Sequence, residues 1–287
     1  MNEFKDKVAV ITGAASGIGR GIAERCVREG IKVILADIEE SALMQTRRDL
    51  ETIGGDVAAI VTDVSKSEDV EHLARKTLDS FGAVHLLFNN AGVSSGGSLW
   101  KKTLADWEWV LGVNLWGVIY GLRAFLPIML EQDVDCHIVN TASMMGLVSL
   151  PGGGIYSVTK HAVVTISEIL YHELKQIDAK VQVSVLCPGG VKTRIGESER
   201  NRPEGTSIQP QVSDNDPRDT EAAQKWWKQA SEGLLEPRQV AEIVFDAIRN
   251  ERFYILTHPE YNETIRVRHD DILQGRNPTN PYSVPVS

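Results

Sequence analysis

KVAVITGAASGIG, residues 7–19, joins an apolar run to a glycine-spaced turn and then to an apolar periodic segment. Residues 7–11 (KVAVI) have the composition of a strand buried on both faces, as in a parallel sheet. Residues 17–29 repeat apolar side chains at Ile18, Ile22, Cys26 and Val27, a helical spacing. Between them, Gly13, Ser16, Gly17, Ile18 and Gly19 form a GxxxGxG turn. Glycines there let backbone amides approach a pyrophosphate, and the helix N-terminus adds free N–H donors and partial positive charge. A turn of this kind between a strand and a helix points to a dinucleotide.

The same alternation continues along the chain. Strands are predicted at 32–37, 58–63, 85–89, 137–141, 181–186 and 253–257, and helices at 41–53, 68–81, 105–131, 155–177 and 237–250, with Pro127 interrupting the long one near its end. Seven mostly apolar strands alternating with helices imply one α/β domain, a doubly wound Rossmann-type parallel sheet. Residues 1–257 are expected to form the dinucleotide-binding catalytic domain. Within it, 194–236 breaks the pattern and is expected to be a substrate lid carrying Trp226 and Trp227. Residues 258–287 form a polar, proline-containing extension. Tyr261, Ile265 and Val267 suit docking on the body or on a neighbouring subunit, and a loosely held terminus fits equally well.

Composition narrows the function classes. The net charge of −9 and the absence of a basic face argue against nucleic acid. No run of about 18 apolar residues marks a membrane span, and residues 1–7 lack the pattern of a signal peptide. Cys26, Cys136 and Cys187 are odd in number and form no CxxC pair, so neither a disulfide framework nor a metal site is expected. They read as small core residues of a protein from the reducing cytoplasm. The seven scattered histidines read as structural or surface groups.

Asp37 ends the second strand, where a carboxylate can bond the adenosine ribose hydroxyls. It repels a 2′-phosphate, and no Lys or Arg occupies 14–16 or 38 to offset it, which favours NAD over NADP. Asp63, followed by Val64, ends the third strand and suits either the adenine edge or an N-cap. Tyr156 and Lys160 stand four apart on one helix, hence on one face. An ammonium beside a phenol favours the phenolate, and a phenol so tuned exchanges a proton with an alcohol or ketone. Ser143 follows the fifth strand. Asn114 lies inside an otherwise apolar helix, where asparagine is a mediocre former, suggesting a buried hydrogen-bonding duty.

TGAASGIG at 12–19, NNAG at 89–92, Asn114, Ser143, YSVTK at 156–160 and PGGVKT at 188–193 together resemble the short-chain dehydrogenase/reductase family, over roughly residues 5–257. The resemblance implies strand order 3-2-1-4-5-6-7 and a homotetramer or homodimer joined through the helices of Asn114 and Tyr156. It implies Tyr156 as general acid/base, with Lys160 lowering its pKa and bonding the nicotinamide ribose. Ser143 would bond the substrate oxygen, and Asn114 would link Lys160 to a proton relay. Asn90 and Gly92 would line the coenzyme groove, while Pro188, Gly189, Val191 and Thr193 would hold the nicotinamide end. The expected substrate is a bulky, largely uncharged secondary alcohol or ketone. Its wall would be Ser94, Ser95, Met144, Met145, Leu147, Leu150 and 152–155, with no charged clamp in view. The alternatives are an NADPH-dependent ketone reductase, a non-catalytic NAD(H)-binding regulator, and epimerase or dehydratase chemistry on the same scaffold.

Overall fold

The computed structural model describes residues 1, 3–205, 218 and 220–285. The part of the expected lid at 206–217 and 219 lies outside the described residues, as do 286–287 of the extension.

Seven parallel strands make one sheet: β1 (Val8–Thr12), β2 (Lys32–Asp37), β3 (Val57–Val61), β4 (Leu86–Asn89), β5 (Cys136–Thr141), β6 (Val181–Cys187) and β7 (Tyr254–Leu256). Their spatial order is β3-β2-β1-β4-β5-β6-β7. The central strands β1, β4 and β5 are buried along their whole length. Burial on both faces explains why they read as continuous apolar runs rather than alternating ones.

Helices cover both faces. On one side, α1 (Gly17–Arg28), α2 (Glu40–Thr52) and α8 (Pro237–Arg249) close a core around Ile11, Leu35, Phe88 and Phe245. On the other, α3 (Ser67–Phe81), the α4 (Leu104–Leu111)–α5 (Gly117–Glu131) rod and α6 (Gly154–Gln176) pack on Val10, Ile34, Leu87 and Ile138. Each crossover thereby brings the C-terminal strand ends, and the loops that follow them, to one edge. That edge is where ligands bind in open α/β sheets.

The rod departs from expectation in two ways. Pro127 does not interrupt it, since α5 runs through to Glu131. A π turn, Gly112–Trp116, instead joins α4 to α5 and carries Asn114. The segment Leu104–Glu131 is long and apolar enough to cross a membrane by length and composition alone. Here it serves as a sheet-covering layer, with Val118, Phe125 and Met129 buried against the core. Trp116 remains half exposed.

Two helices lie where no periodicity was evident. α7 (Glu221–Glu232) ends the expected lid, and α9 (Asn262–Leu273) lies near the start of the extension. Both join one apolar cluster of Met144, Val148, Leu150, Ala223, Trp226, Ala230, Tyr261 and Tyr282, with Met145 and Ile265 against it. Tyr282 donates its hydroxyl to the Pro151 carbonyl at 2.6 Å, and its ring meets Trp226 edge to face at 5.8 Å. The extension is therefore docked on the body through Tyr261, Ile265 and Tyr282.

Candidate active site

The turn after β1 is built for close approach. Gly13 and Gly17 hold φ of +67° and +53°, which L side chains rarely adopt. A Cβ on Gly19 would meet the Gly13 carbonyl oxygen at 2.1 Å. No side chain caps the start of α1, and no acid lies in its first turn. That leaves an N-terminus suited to an anion. Thr12 ties this turn to the loop after β4, its Oγ1 accepting from the Asn90 and Ala91 amides at 2.9 and 3.1 Å. Asn90 in turn donates to the Thr12 carbonyl at 3.0 Å.

These loops border one cavity of about 610 Å³. Gly13, Ser16, Gly17, Ile18, Asp37, Asp63, Val64, Asn90, Gly92, Ser143, Tyr156, Lys160, Pro188, Gly189, Val191 and Thr193 all line it. The fold thus brings residues spread over more than half the chain to one groove, with the glycine turn, an acid at the end of β2 and the Tyr156 group placed along it. The cavity, the uncapped helix start and the ribose-side carboxylate fit a dinucleotide.

Asp37 accepts from the Ala15 and Glu39 amides, both at 3.0 Å. Burial raises its pKa against those two bonds. Asp63 does not cap α3; that position falls to Lys66. It closes a turn instead, accepting from the Ser65 amide at 3.0 Å and hydroxyl at 2.6 Å.

Tyr156, Lys160 and Ser143 converge. Ser143 is the hydrogen-bonding neighbour that opposes burial at the Tyr156 phenol, and its Oγ donates to the Pro188 carbonyl at 3.4 Å. Lys160 Nζ lies 5.5 Å from the Tyr156 ring centroid and donates to the Thr141 carbonyl at 2.8 Å. Burial pushes the Tyr156 phenol up, against the Ser143 bond, and pushes the Lys160 ammonium down to about 8. Desolvation thus disfavours the charged form of both groups. Burial therefore outweighs the expected lowering of the Tyr156 phenol by Lys160.

Three of the expected site residues do not line the cavity. Gly19 is packed under the Gly13 carbonyl. Met145 donates its amide to Ser143 Oγ at 3.1 Å, while its side chain joins the Trp226 cluster. Asn114 is fully buried in the π turn. Its Oδ1 accepts from the Val93 amide at 2.8 Å, and its Nδ2 donates to the Val93 carbonyl at 2.9 Å and to Thr159 Oγ1 at 3.2 Å. Thr159 Oγ1 passes a bond of 2.7 Å to the Tyr156 carbonyl. Asn114 therefore positions the loop after β4 and the Tyr156 turn of α6. Asn114→Ala is expected to leave the buried Val93 groups unpaired and to cost about 2–4 kcal/mol. Urea unfolding checks this through a lower midpoint at an unchanged slope.

The expected wall residues Ser94, Ser95, Met144, Leu147, Leu150 and 152–155 are likewise absent from the lining. Met144 and Leu150 are covered by the Trp226 cluster. The lining instead includes Val93, Trp109, Val113 and a strap at 193–203, which takes in the first part of the expected lid. The strap crosses the groove. Arg200 and Asn201 bond Glu39 on the β2 side at 2.8 and 3.0 Å. On the other side, Arg202 bonds Asp106 at 2.8 Å and lies 4.3 Å over the Trp109 ring. Ser198 Oγ accepts from the Ser94 amide at 2.9 Å. Charge does border the cavity, contrary to expectation, because folding imports these arginines from far along the chain. They are engaged by protein carboxylates: Arg194 and Arg200 by Glu39, Arg202 by Asp106 and Glu199. His258 accepts from the Gly189 amide at 3.2 Å, a structural duty consistent with its side-chain burial. Among the described residues, no group of three His, Cys, Asp or Glu is placed to hold a metal.

Comparison with known proteins agrees with this geometry. The short chain dehydrogenase family model matches residues 7–204. A crystal structure of a short chain dehydrogenase/reductase from Burkholderia phymatum, in complex with NAD, is 48% identical with a TM-score of 0.91, covering 100% of both chains. The CLA biosynthesis dehydrogenase/reductase of Lactiplantibacillus plantarum is 36% identical over 275 residues, 93% of each chain. The 1-deoxy-11-beta-hydroxypentalenate dehydrogenase of Streptomyces exfoliatus is 32% identical over 271 residues, 94% of this chain and 89% of that one. With fold, loop geometry and relatives in agreement, the chain belongs to the short-chain dehydrogenase family, oxidoreductases of alcohols and ketones.

Proposed function

We propose that the protein interconverts a bulky secondary alcohol and its ketone with NAD(H), using Tyr156 as general acid/base. The observation that carries this is the convergence of Ser143, Tyr156 and Lys160 at one end of a groove whose other end presents Asp37. When bound, the oxidised nicotinamide would supply the hydride acceptor. Tyr156 Oη takes the alcohol proton in oxidation and returns it in reduction. Ser143 Oγ bonds the same substrate oxygen and stabilises the charge that develops there. Lys160 supports the phenolate by its charge. Asn114 acts through the Val93 and Thr159 bonds and touches no reacting atom. Gly13, Ser16, Gly17, Ile18 and the start of α1 would hold the pyrophosphate. Asp37 would hold the adenosine ribose, Asp63 and Val64 the adenine, and Asn90, Gly92, Pro188, Gly189, Val191 and Thr193 the nicotinamide half.

The apolar preference rests on the cluster that abuts the catalytic group. Met145 is bonded to Ser143 and packs with Leu150, Trp226 and Tyr282. In this reading α7 and the docked extension form an apolar cover that shifts to admit substrate. A dimer or tetramer through the outer faces of α4–α5 and α6 would shield Trp116, Val158 and Ile169, which are exposed in the single chain. The test is coenzyme reduction with NAD⁺ and NADP⁺ across aryl, terpenoid and steroid-like secondary alcohols, set beside small charged hydroxy acids. NAD-selective turnover of the apolar alcohols is expected. Turnover confined to hydroxy acids would overturn the substrate class, and NADP⁺ selectivity would overturn the coenzyme.

A further inference from the structure

The adenosine corner of the groove holds more charge than Asp37. Glu39 stands two residues further on and lines the same cavity. Its Oε1 accepts from Arg200 Nε at 2.8 Å and Asn201 Nδ2 at 3.0 Å, and its Oε2 from Arg194 Nη1 at 3.5 Å. Burial alone would raise this carboxyl, but the Asn201 and Arg200 bonds and the two arginine charges hold it below the usual range. Arg200 presents Glu39 with both Nε and Nη2, the latter also at 2.8 Å, while its Nη1 is held by the Arg194 and Glu197 carbonyls at 2.9 Å each. The guanidinium is thus aimed, as a two-donor fork, at whatever anion stands where Glu39 now stands.

A fork of this kind is the standard recognition element for a phosphate. An arginine at the end of β2 is also what accommodates the 2′-phosphate in dinucleotide folds. No arginine lies there in the local sequence. The strap delivers two, from more than 150 residues away.

We propose that Glu39 is a second coenzyme-selecting residue: it occupies Arg200 and Arg194, which without it form a subsite for the adenosine 2′-phosphate of NADP(H). Asp37 repels that phosphate, and Glu39 withholds the cations that would accept it. The inference rests on the NAD reading and specifies how NAD selectivity is built.

The test is fluorescence titration of the full chain with NADH and with NADPH, which needs no knowledge of the alcohol. The wild type is expected to bind NADH more tightly. Glu39→Gln keeps the shape and removes the charge, and is expected to move the affinity ratio toward NADPH by about tenfold. Arg200→Gln breaks the same strap contact but removes the cation, so it should give no such gain. In the double variant E39Q/R200Q the ratio should fall back most of the way to the wild-type value, with Arg194, the more distant partner of Glu39, accounting for any remainder. A ratio unchanged in Glu39→Gln would overturn the proposal. An equal gain in Arg200→Gln would also overturn it, since strap loosening would then explain the effect. A wild type that prefers NADPH would instead refute the NAD reading itself, a result visible before any variant is made.

Discussion

Tyr156→Phe is expected to lower alcohol turnover by about 10³-fold while NADH affinity changes by no more than a few fold. The substitution removes one oxygen. The ring remains in its buried place beside Lys160, and the Ser143 hydroxyl keeps its contact with the Met145 amide. What disappears is the hydroxyl that, in the proposed mechanism, exchanges a proton with the substrate oxygen. In the wild type, burial holds the phenol above its ordinary value, so oxidation, which needs the phenolate, should accelerate as pH rises. Reduction needs the protonated phenol and should slow over the same range. Steady-state rates in both directions across pH 6–10 would check this. A Tyr156→Phe variant that keeps most of its activity would show that the proton leaves by another route.

Lys160→Met is expected to lower turnover by about 10²-fold or more and yet to stabilise the fold at neutral pH. The reason is the cost of the buried cation. Lys160 is 3% exposed and its pKa falls from 10.5 to about 8. Below pH 8 the folded and unfolded chains both carry the proton, and the folded one bears the full desolvation penalty. Between pH 8 and 10.5 the unfolded chain binds more protons than the folded one, so wild-type stability rises with pH. Above that window the penalty is gone. Methionine avoids it at every pH but leaves the Thr141 carbonyl without its 2.8 Å donor. The net gain at pH 7 is expected to be about 1–2 kcal/mol, shrinking to nothing or reversing above pH 10. Chemical denaturation at pH 7 and pH 10 measures both ends. Lys160 thus stands at odds with the stability of the domain that holds it, as expected where the proposed chemistry needs a charge in a dry place.

How much of this was legible in residue order differs from element to element. The run from β1 through the glycine turn into α1 was legible because every determinant is local: apolar side chains, the conformational freedom of Gly13 and Gly17, and helical spacing afterwards. Asn114 was conspicuous as a polar residue on an apolar helix, but its partners were not. The π turn that seats it against Val93 and Thr159 leaves no periodic signature. Met145 sits next to Met144 and two residues from Ser143, and nothing in the order says that its side chain leaves for the Trp226 cluster. The extension read as polar because its anchors, Tyr261, Ile265 and Tyr282, are few and far apart. Only a surface already built by α7 and the loop before α6 makes them a docking face.

Residue order by itself determined the parallel sheet, its strand order through the family resemblance, the phosphate turn and the Ser143–Tyr156–Lys160 set, since each depends on neighbours within a few residues or on a fixed motif. Only the tertiary structure decided what surrounds them: the strap over the groove, Glu39 facing Arg194 and Arg200, and Arg202 lying across Trp109 to reach Asp106. Ion pairs form at a few ångströms in space whatever their separation along the chain, and they leave no period behind. The charges that border the coenzyme site are therefore a property of the fold.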